Sequence, residues 1–483
     1  MMNVKKRFIC IYVLIAAALV LLILGGCMAG PEYHPPQLTT VPSEWAGVSE
    51  TSASQPSLAT AKNADITQWW RQFNDPLLNE LVEEALNNSP DLQIAGTLVR
   101  QARSSRGIAI GGLWPSLSGS ASFQQSHAVG TFPDDSRKNL YQAGFDAVWE
   151  LDLFGGVRRG VEVAGANVQA SIENVRDAYV SLIAEVALNY IQLRGCQREI
   201  VIAQDNLKAQ RHTAGITHKL MDVGFSSALD VANAQSNIAA TEAQIPIFET
   251  SARQSIYALS VLLGQPPGAL LERLSPAGAI PIVPAEIPAG IPSELLRRRP
   301  DIRKAEAEIH AATAQIGVAV AQLFPSFSLT GTMNWQNNML RNWLTAANRS
   351  FSYGPSVNWP IFQGGAIISN IHLQEALRDE AFITYQKTVL AAFQDVENAL
   401  IAFKNEQARR KSLSDAVTAN RRAVDLSLQL YTAGQIDFLN VLVAQRSLYT
   451  SEDALVQSER NIATDIIALY KALGGGWESM EVK

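Results

Sequence analysis

The chain has 483 residues, 47% of them hydrophobic and only 17% charged, with 31 glycines and 21 prolines, a composition that excludes disorder and collagen. Lys and Arg number 39 against 45 Asp and Glu, a formal charge of −6, so the chain lacks the strongly basic balance that binding to nucleic-acid phosphates calls for. The three cysteines, at 10, 27 and 196, are too few and too scattered for a disulfide framework or a structural zinc site.

Lys5, Lys6 and Arg7 precede the 17-residue apolar run Phe8 to Leu24, which reads as a secretory signal over residues 1–26. Leu24-Gly25-Gly26-Cys27 resembles the bacterial lipobox. The resemblance implies that Cys27 becomes the N-terminus and carries a covalent diacylglycerol and an acyl chain, with no other cofactor. Met28, a non-acidic neighbour, implies sorting to the outer membrane. Without residues 1–26 the chain has 457 residues, 36 basic and 45 acidic, a net charge of −9. No later run of 18 apolar residues exists, so any membrane entry must be by strands.

An internal repeat organises the remainder. Pro90-Asp91 recurs as Pro300-Asp301, and Trp114-Pro115-Ser116 as Phe324-Pro325-Ser326, both at a shift of 210. The same shift carries Gly144 to Gly354, Trp149 to Trp359, Gly224 to Gly434 and Leu263-Gly264 to Leu473-Gly474. The segments are therefore the signal 1–26, a lipid-anchored N-terminal segment 27–89, a first repeat 90–264, a linker 265–299, a second repeat 300–474 and a tail 475–483.

Each repeat opens with an Ala-rich helix, 91–113 and 301–323, ended by Pro115 and Pro325. Period two follows. Leu117, Gly119, Ala121 and Phe123 alternate with serines, and Phe327, Leu329, Gly331, Met333 and Trp335 with Ser, Thr and Asn. The return strands alternate likewise, through Tyr141, Phe145, Trp149 and Leu151 and through Phe351, Tyr353, Trp359 and Ile361. Hairpins 115–153 and 325–362 thus present one apolar face edged with aromatics and one small polar face, the pattern of an outer-membrane β-barrel. Phe123, Phe145, Trp149, Phe327, Trp335, Tyr353 and Trp359 are the expected lipid-facing residues. Four strands cannot close a barrel, whose smallest known form has eight, so copies must combine. Three give twelve strands around an open lumen, whereas two give eight and a filled interior.

Residues 157–223 contain no proline and carry two interleaved heptads, Val161, Val168, Val175, Leu182 and Ile172, Tyr179, Val186, Leu193, Ile200, so they read as one helix about 100 Å long. After Gly224, residues 225–263 are expected to return as a single helix of about 58 Å, stacked end to end with the helix of about 35 Å that precedes the strands. The fold class is mainly α with a membrane β-barrel: two tandem repeats, four β-strands per protomer, and a long helical tunnel joined to a trimeric 12-stranded barrel.

Arg298-Arg299-Pro300-Asp301-Ile302, Ala305-Glu306, Ile316-Gly317 and Phe324-Pro325-Ser326 resemble the signature block of the TolC-type outer-membrane factors. The lipobox, Gly30-Pro31-Glu32-Tyr33-His34, Leu193-Arg194-Gly195 and Ala472-Leu473-Gly474-Gly475-Gly476-Trp477 are similar to the NodT- and OprM-like lipoprotein subgroup of resistance-nodulation-division systems. The resemblance covers nearly the whole mature chain. It implies a homotrimeric efflux channel in outer-membrane lipid with its helical part in the periplasm. The implied partners are a periplasmic adaptor and an inner-membrane pump. Val223, Gly224, Phe225 and Ala433, Gly434, Gln435, where the long helices reverse, are the implied adaptor-contact tips. Asp230 and Tyr431 match an inter-repeat link that holds the mouth shut, although Asp230 also reads as a helix N-terminal acid. Asn440 and Val443 stand where some relatives carry an acidic ring.

No catalytic, phosphate-binding or metal-spaced cluster emerges, so no enzyme is expected. The alternatives are a conduit for a secreted polypeptide or metal ion and, in a different class, a lipid-anchored periplasmic coiled-coil scaffold.

Overall fold

The structure is a computed structural model that describes residues 28–36, 42, 45–46, 58–60, 66–127, 137–281, 286–288, 292–478 and 480. Cys27 and the signal segment lie outside these residues. In chain order the main elements are helices α1 (Pro76–Asn88) and α2 (Pro90–Gly111), strands β1 (Ser116–His127) and β2 (Arg137–Leu151), and the long helix α3 (Gly156–Asp222). Helices α4 (Ala228–Glu242), α5 (Ile245–Leu262) and α6 (Pro300–Ala321) follow, then β3 (Ser326–Asn337), β4 (Arg349–Asn358), the second long helix α7 (Ala366–Thr432) and α8 (Phe438–Ala472). Short strands Leu58–Thr60 and Glu286–Pro288 pair in parallel, so the 265–299 linker has structure of its own.

Repeats are not domains here. One compact unit comprises 1–37, 98–171 and 304–386, the other 38–97, 172–303 and 387–483, so each draws segments from both repeats.

The first unit holds a sheet of order β1-β2-β3-β4, antiparallel throughout. The strands run to 12, 15, 12 and 10 residues, longer than the alternation alone marks except at the last. There β4 stops at Asn358 rather than continuing to Ile361, and Pro360 has no amide hydrogen to extend a ladder. Gly155, Gly364 and Gly365, at φ +77, +58 and +84, turn the chain out of the strands, a backbone region that glycine enters without steric cost. Asp152 caps α3, accepting from Val157 N at 3.1 Å and Arg158 N at 2.8 Å.

In the second unit the two long helices of 67 residues end alike. Phe225 N donates to Leu220 O and Gly224 N to Met221 O, while Gln435 N donates to Leu430 O and Gly434 N to Tyr431 O. This 6→1 and 5→2 pair is the Schellman motif, which needs a left-handed residue, and Gly224 and Gly434 supply it at φ +80 and +69. The same motif closes α5 at Gly264 and α8 at Gly474. A Cβ on Gly264 would come within 2.7 Å of Asn88 O, beside Pro90, and one on Gly474 within 3.1 Å of the Arg299 Cα, beside Pro300. Each return helix therefore abuts the start of its repeat's first helix. That end-to-end junction is why Pro-Asp and Leu-Gly recur at one shift.

The first repeat's return helix is not continuous, contrary to the sequence expectation. It breaks at Ala243-Gln244 into α4 and α5, because Pro246 cannot donate to the carbonyl a turn earlier. Val456 occupies the corresponding place in the second repeat, and α8 runs unbroken for 35 residues. The heptad residues Val175, Leu182, Val186 and Leu193 are buried as expected. The unduplicated N-terminal stretch supplies Trp69, Trp70 and Phe73 to this core, Trp69 stacking on Tyr470 at 5.1 Å.

Candidate functional site

In the first unit, strand register settles which residues share a face. Phe123 faces Tyr141, Phe145 faces Met333, Trp149 faces Leu329, Phe327 faces Val357, Trp335 faces Ala143, and Tyr353 faces Gly331. All six, and Trp359 just past β4, thus lie on one face. Tyr353 is 81% exposed, and Phe123, Phe145, Trp149 and Trp359 are exposed as well, while Phe327 and Trp335 on the central β3 are half-buried. The opposite face carries Ser118, Ser120, Ser122, Asp146, Glu150, Thr330, Asn334, Ser352 and Ser356, with Val148 an apolar exception. An exposed apolar face of this size, backed by small polar residues, suits hydrocarbon outside and water inside.

Two tryptophans are fixed by the backbone. Trp149 Nε1 donates to Leu113 O at 3.0 Å and Trp359 Nε1 to Leu323 O at 3.1 Å, the same contact in both repeats.

Residues 29–33 form a clamp in this unit that the sequence did not disclose. Ala29 N donates to Phe154 O at 2.9 Å. Gly30 lies against Gly317, where any Cβ would meet backbone at 2.5 Å. Tyr33 stacks on His310 at 4.3 Å and donates its hydroxyl to Glu306 Oε1 at 3.2 Å. Burial and the neighbouring Glu306 carboxylate push the Tyr33 hydroxyl up. Arg159 donates to Ala29 O and to Glu162, whose other oxygen meets His310 at 2.9 Å. Burial works upward on Glu162, but the His310 and Arg159 hydrogen bonds outweigh it and hold the carboxyl low.

In the second unit the turns of the two long helices border one cleft of about 790 Å³, lined by Val223, Phe225, Asp230, Tyr431, Ala433, Gly434, Gln435, Asp437 and Asn440 among others. Phe225 is 80% exposed, and Val223 is exposed too. Tyr431 is only 5% exposed and packs with Phe438, Val441, Leu442 and Ala234. Of the sequence-predicted mouth residues, Asp230, Tyr431, Asn440 and the turns come together here. Val443 is exposed and does not line the cleft.

The expected Asp230–Tyr431 link is not direct. Asp230 Oδ2 accepts from Ser226 Oγ at 3.0 Å, Ser227 N at 3.0 Å and Ser227 Oγ at 2.9 Å, and its own N–H donates to Ser227 Oγ. That is a capping box at the start of α4. Burial raises the Asp230 pKa, yet the Ser227 and Ser226 hydrogen bonds outweigh it and leave the carboxyl below its ordinary range. Tyr431 instead donates to Ser226 Oγ at 3.1 Å, so Ser226 relays the tyrosine to the aspartate. The second repeat has Asp437 and Asn440 at the matching places and no side-chain cap.

Further from the turns, polar contacts join the repeats: the buried Gln445 Nε2 to Thr213 Oγ1 at 2.8 Å and Asn206 Nδ2 to Glu452 Oε2 at 2.8 Å, and a half-buried contact of Arg446 Nε to Asn237 Oδ1 at 3.1 Å. The remaining motif residues have structural roles. Arg299 binds Asp301, Asp395 and the Ala472 carbonyl. Trp477 donates to Arg298 O at 3.1 Å and lies under the Arg176 and Arg303 guanidinium groups. Arg194, over Tyr190, holds the linker through Pro276 O.

The family model described as outer membrane efflux protein matches residues 81–265 and 291–475, both repeats. The chain belongs to that family. It is 32% identical over 97% of its length to nodulation protein T of Rhizobium leguminosarum bv. viciae, covering 94% of that protein. It is 34% identical to the pyoverdine export outer membrane protein OpmQ of Pseudomonas aeruginosa, covering 95% of this chain and 96% of that one. The solved outer-membrane channel OprN matches with a TM-score of 0.84 at 36% identity, over 93% of this chain and all of that one. This efflux protein is an outer-membrane channel component of a tripartite export system, with its helical part in the periplasm. Family members are channels rather than enzymes.

Proposed function

We propose that three copies of this efflux protein close one twelve-stranded pore and that the pore conducts drugs or small solutes passively, drawing energy from an inner-membrane pump coupled through a periplasmic adaptor. The observation that carries this is the four-stranded sheet, aromatic on its exposed face, with β1 and β4 as edges that no strand among the described residues covers. Unpaired N–H and C=O groups in hydrocarbon cost several kcal/mol each. Two copies would make eight strands, an interior that side chains fill. Three leave a lumen lined by Ser, Thr and Asn, which admits hydrated solutes and offers no chemistry beyond passage.

Cys27 acylation anchors the clamp residues that follow it. The exposed turns at 223–225 and 433–435 meet the adaptor, and the Tyr431–Ser226–Asp230 relay restrains the mouth. A pump of the resistance-nodulation-division type fits the tail and clamp motifs. No catalytic group is required.

The test is purification of the lipidated protein and a Cys27→Ala form, followed by sizing in detergent and planar-bilayer recording. Heat-modifiable trimers with ohmic conductance in both forms are expected. A stable water-soluble monomer would sink the reading.

A further inference from the structure

The two hairpins superimpose under the 210-residue shift in register as well as in sequence. Ser116 pairs with Val148 in the first, and their counterparts Ser326 and Asn358 pair in the second. One ladder joins the hairpins: β2 to β3 over eleven pairs, from Tyr141 with Asn337 to Leu151 with Phe327. In a closed ring the seam between copies repeats that junction, with β4 in the place of β2 and β1 of the next copy in the place of β3. The directions agree, since β4 runs as β2 does and β1 as β3 does.

We propose that β4 pairs antiparallel with β1 of a second copy in the register of the internal β2–β3 ladder, setting Ser356 opposite Ser122, Gly354 opposite Gln124, Tyr353 opposite Gln125 and Trp359 opposite Gly119. This rests on the closed pore proposed above and adds which atoms meet at its seams.

Three observations select this register. Sidedness is the first. A slip of one residue would turn the face of β4 that holds Phe351, Tyr353 and Val357 toward the polar side of β1. The proposed register keeps Ser352, Ser356 and Asn358 level with Ser126, Ser122 and Ser120, and the aromatic face continuous.

Stagger is the second. Partners followed across one chain run from Ser116 to Val148, to Thr330, to Gly354. Thr330 is the counterpart of Ser120, a step of four residues per hairpin. The proposed seam takes Gly354 on to Gln124, another four. A two-residue slip would preserve the faces but break the uniform shear that closure of a barrel requires.

The third is aromatic exposure that is greatest at the edges. Tyr353 and Phe351 on β4 and Phe123 on β1 are among the most exposed aromatics of the sheet. The register sets Phe123 opposite Pro355 and diagonal to Tyr353, within reach of a ring. It also sets Trp359 and Ile361, which the sequence alternation marks and which lie past the end of β4, level with Gly119 and Leu117. Pro355 and, past Asn358, Pro360 each withhold an amide hydrogen, two gaps in a seam of this length.

The test uses full-length protein bearing S122C with S356C, with S120C/S356C and Q124C/S356C as two-residue slip controls, oxidised in outer membranes. Within one chain the two positions are three strand spacings apart, about 14 Å. A disulfide spans Cα atoms no more than about 7 Å apart, so only a second copy can supply it. Covalent dimers and trimers on denaturing gels are expected from S122C/S356C at tenfold or more the yield of either control. Equal or greater yield from a control would overturn the register while leaving the closed pore standing, as would intact trimers that none of the pairs links. Monomers on native gels for all three would overturn the closed pore itself.

Discussion

Replacing Tyr431 by Phe removes one hydroxyl and leaves the ring in its cluster with Phe438, Val441 and Leu442. What is lost is the donation to Ser226 Oγ at 3.1 Å, the contact between the second repeat's long helix and the first repeat's turn. A neutral hydrogen bond of this kind contributes about 1 kcal/mol net. With three copies opening together the closed mouth loses about 3 kcal/mol, a shift of roughly 150-fold toward open. Single-channel recording at fixed voltage measures that ratio directly as the quotient of open and closed dwell times. Ser226→Ala should reproduce the effect. The double variant should do no more, because both substitutions remove the same bond. Asp230→Ala differs: it also deletes the capping box, so α4 itself loses about 1 kcal/mol. Unchanged dwell times in Tyr431→Phe and Ser226→Ala would refute the relay as a restraint on the mouth.

The helix break makes an asymmetric prediction: Val456→Pro should cost about 3 kcal/mol or more, since it cuts a continuous α8 at a buried position, while Pro246→Ala should be near neutral. Thermal melts of the two variants in detergent distinguish them, and equal losses would contradict the reading. Burial raises Glu199 to about 7, with Arg460 opposing and Asp453 adding to the rise. A folded state that holds this proton more tightly than the unfolded chain loses stability as pH climbs from about 4.5 to 7, then levels off. Glu199→Gln should therefore melt higher than the parent at pH 8 and close to it at pH 4.5, by at most about 3 kcal/mol; a gap that narrows with rising pH would reverse the sign and the argument.

Local chemistry was legible and distant pairing was not. Pro90, Pro300, Gly224, Gly434, Gly264 and Gly474 mark helix ends because a missing amide hydrogen or a positive φ is a property of the residue itself. Alternation placed Phe145 and Trp335 on one face because strand side chains have period two. Pro246 was equally visible as a residue without an amide hydrogen, yet residues 225–263 read as one return helix, and the break at Ala243-Gln244 appears only in the structure. Periodicity gives faces and not partners, so Gln445 with Thr213, or Tyr33 with Glu306 across 273 positions, left no trace in spacing. At the mouth, resemblance put Asp230 and Tyr431 together, while the intervening Ser226 has no signature that separates it from any loop serine.

The indole contacts of Trp149 and Trp359 have a consequence for how the protein sits in its bilayer. A tryptophan free to swivel can follow the headgroup level as lipid thickness changes. These two cannot, because each is tied to a backbone carbonyl beyond the end of a helix. With two such collar points per copy, the depth of immersion is built in. A thicker or thinner membrane must then deform around the ring.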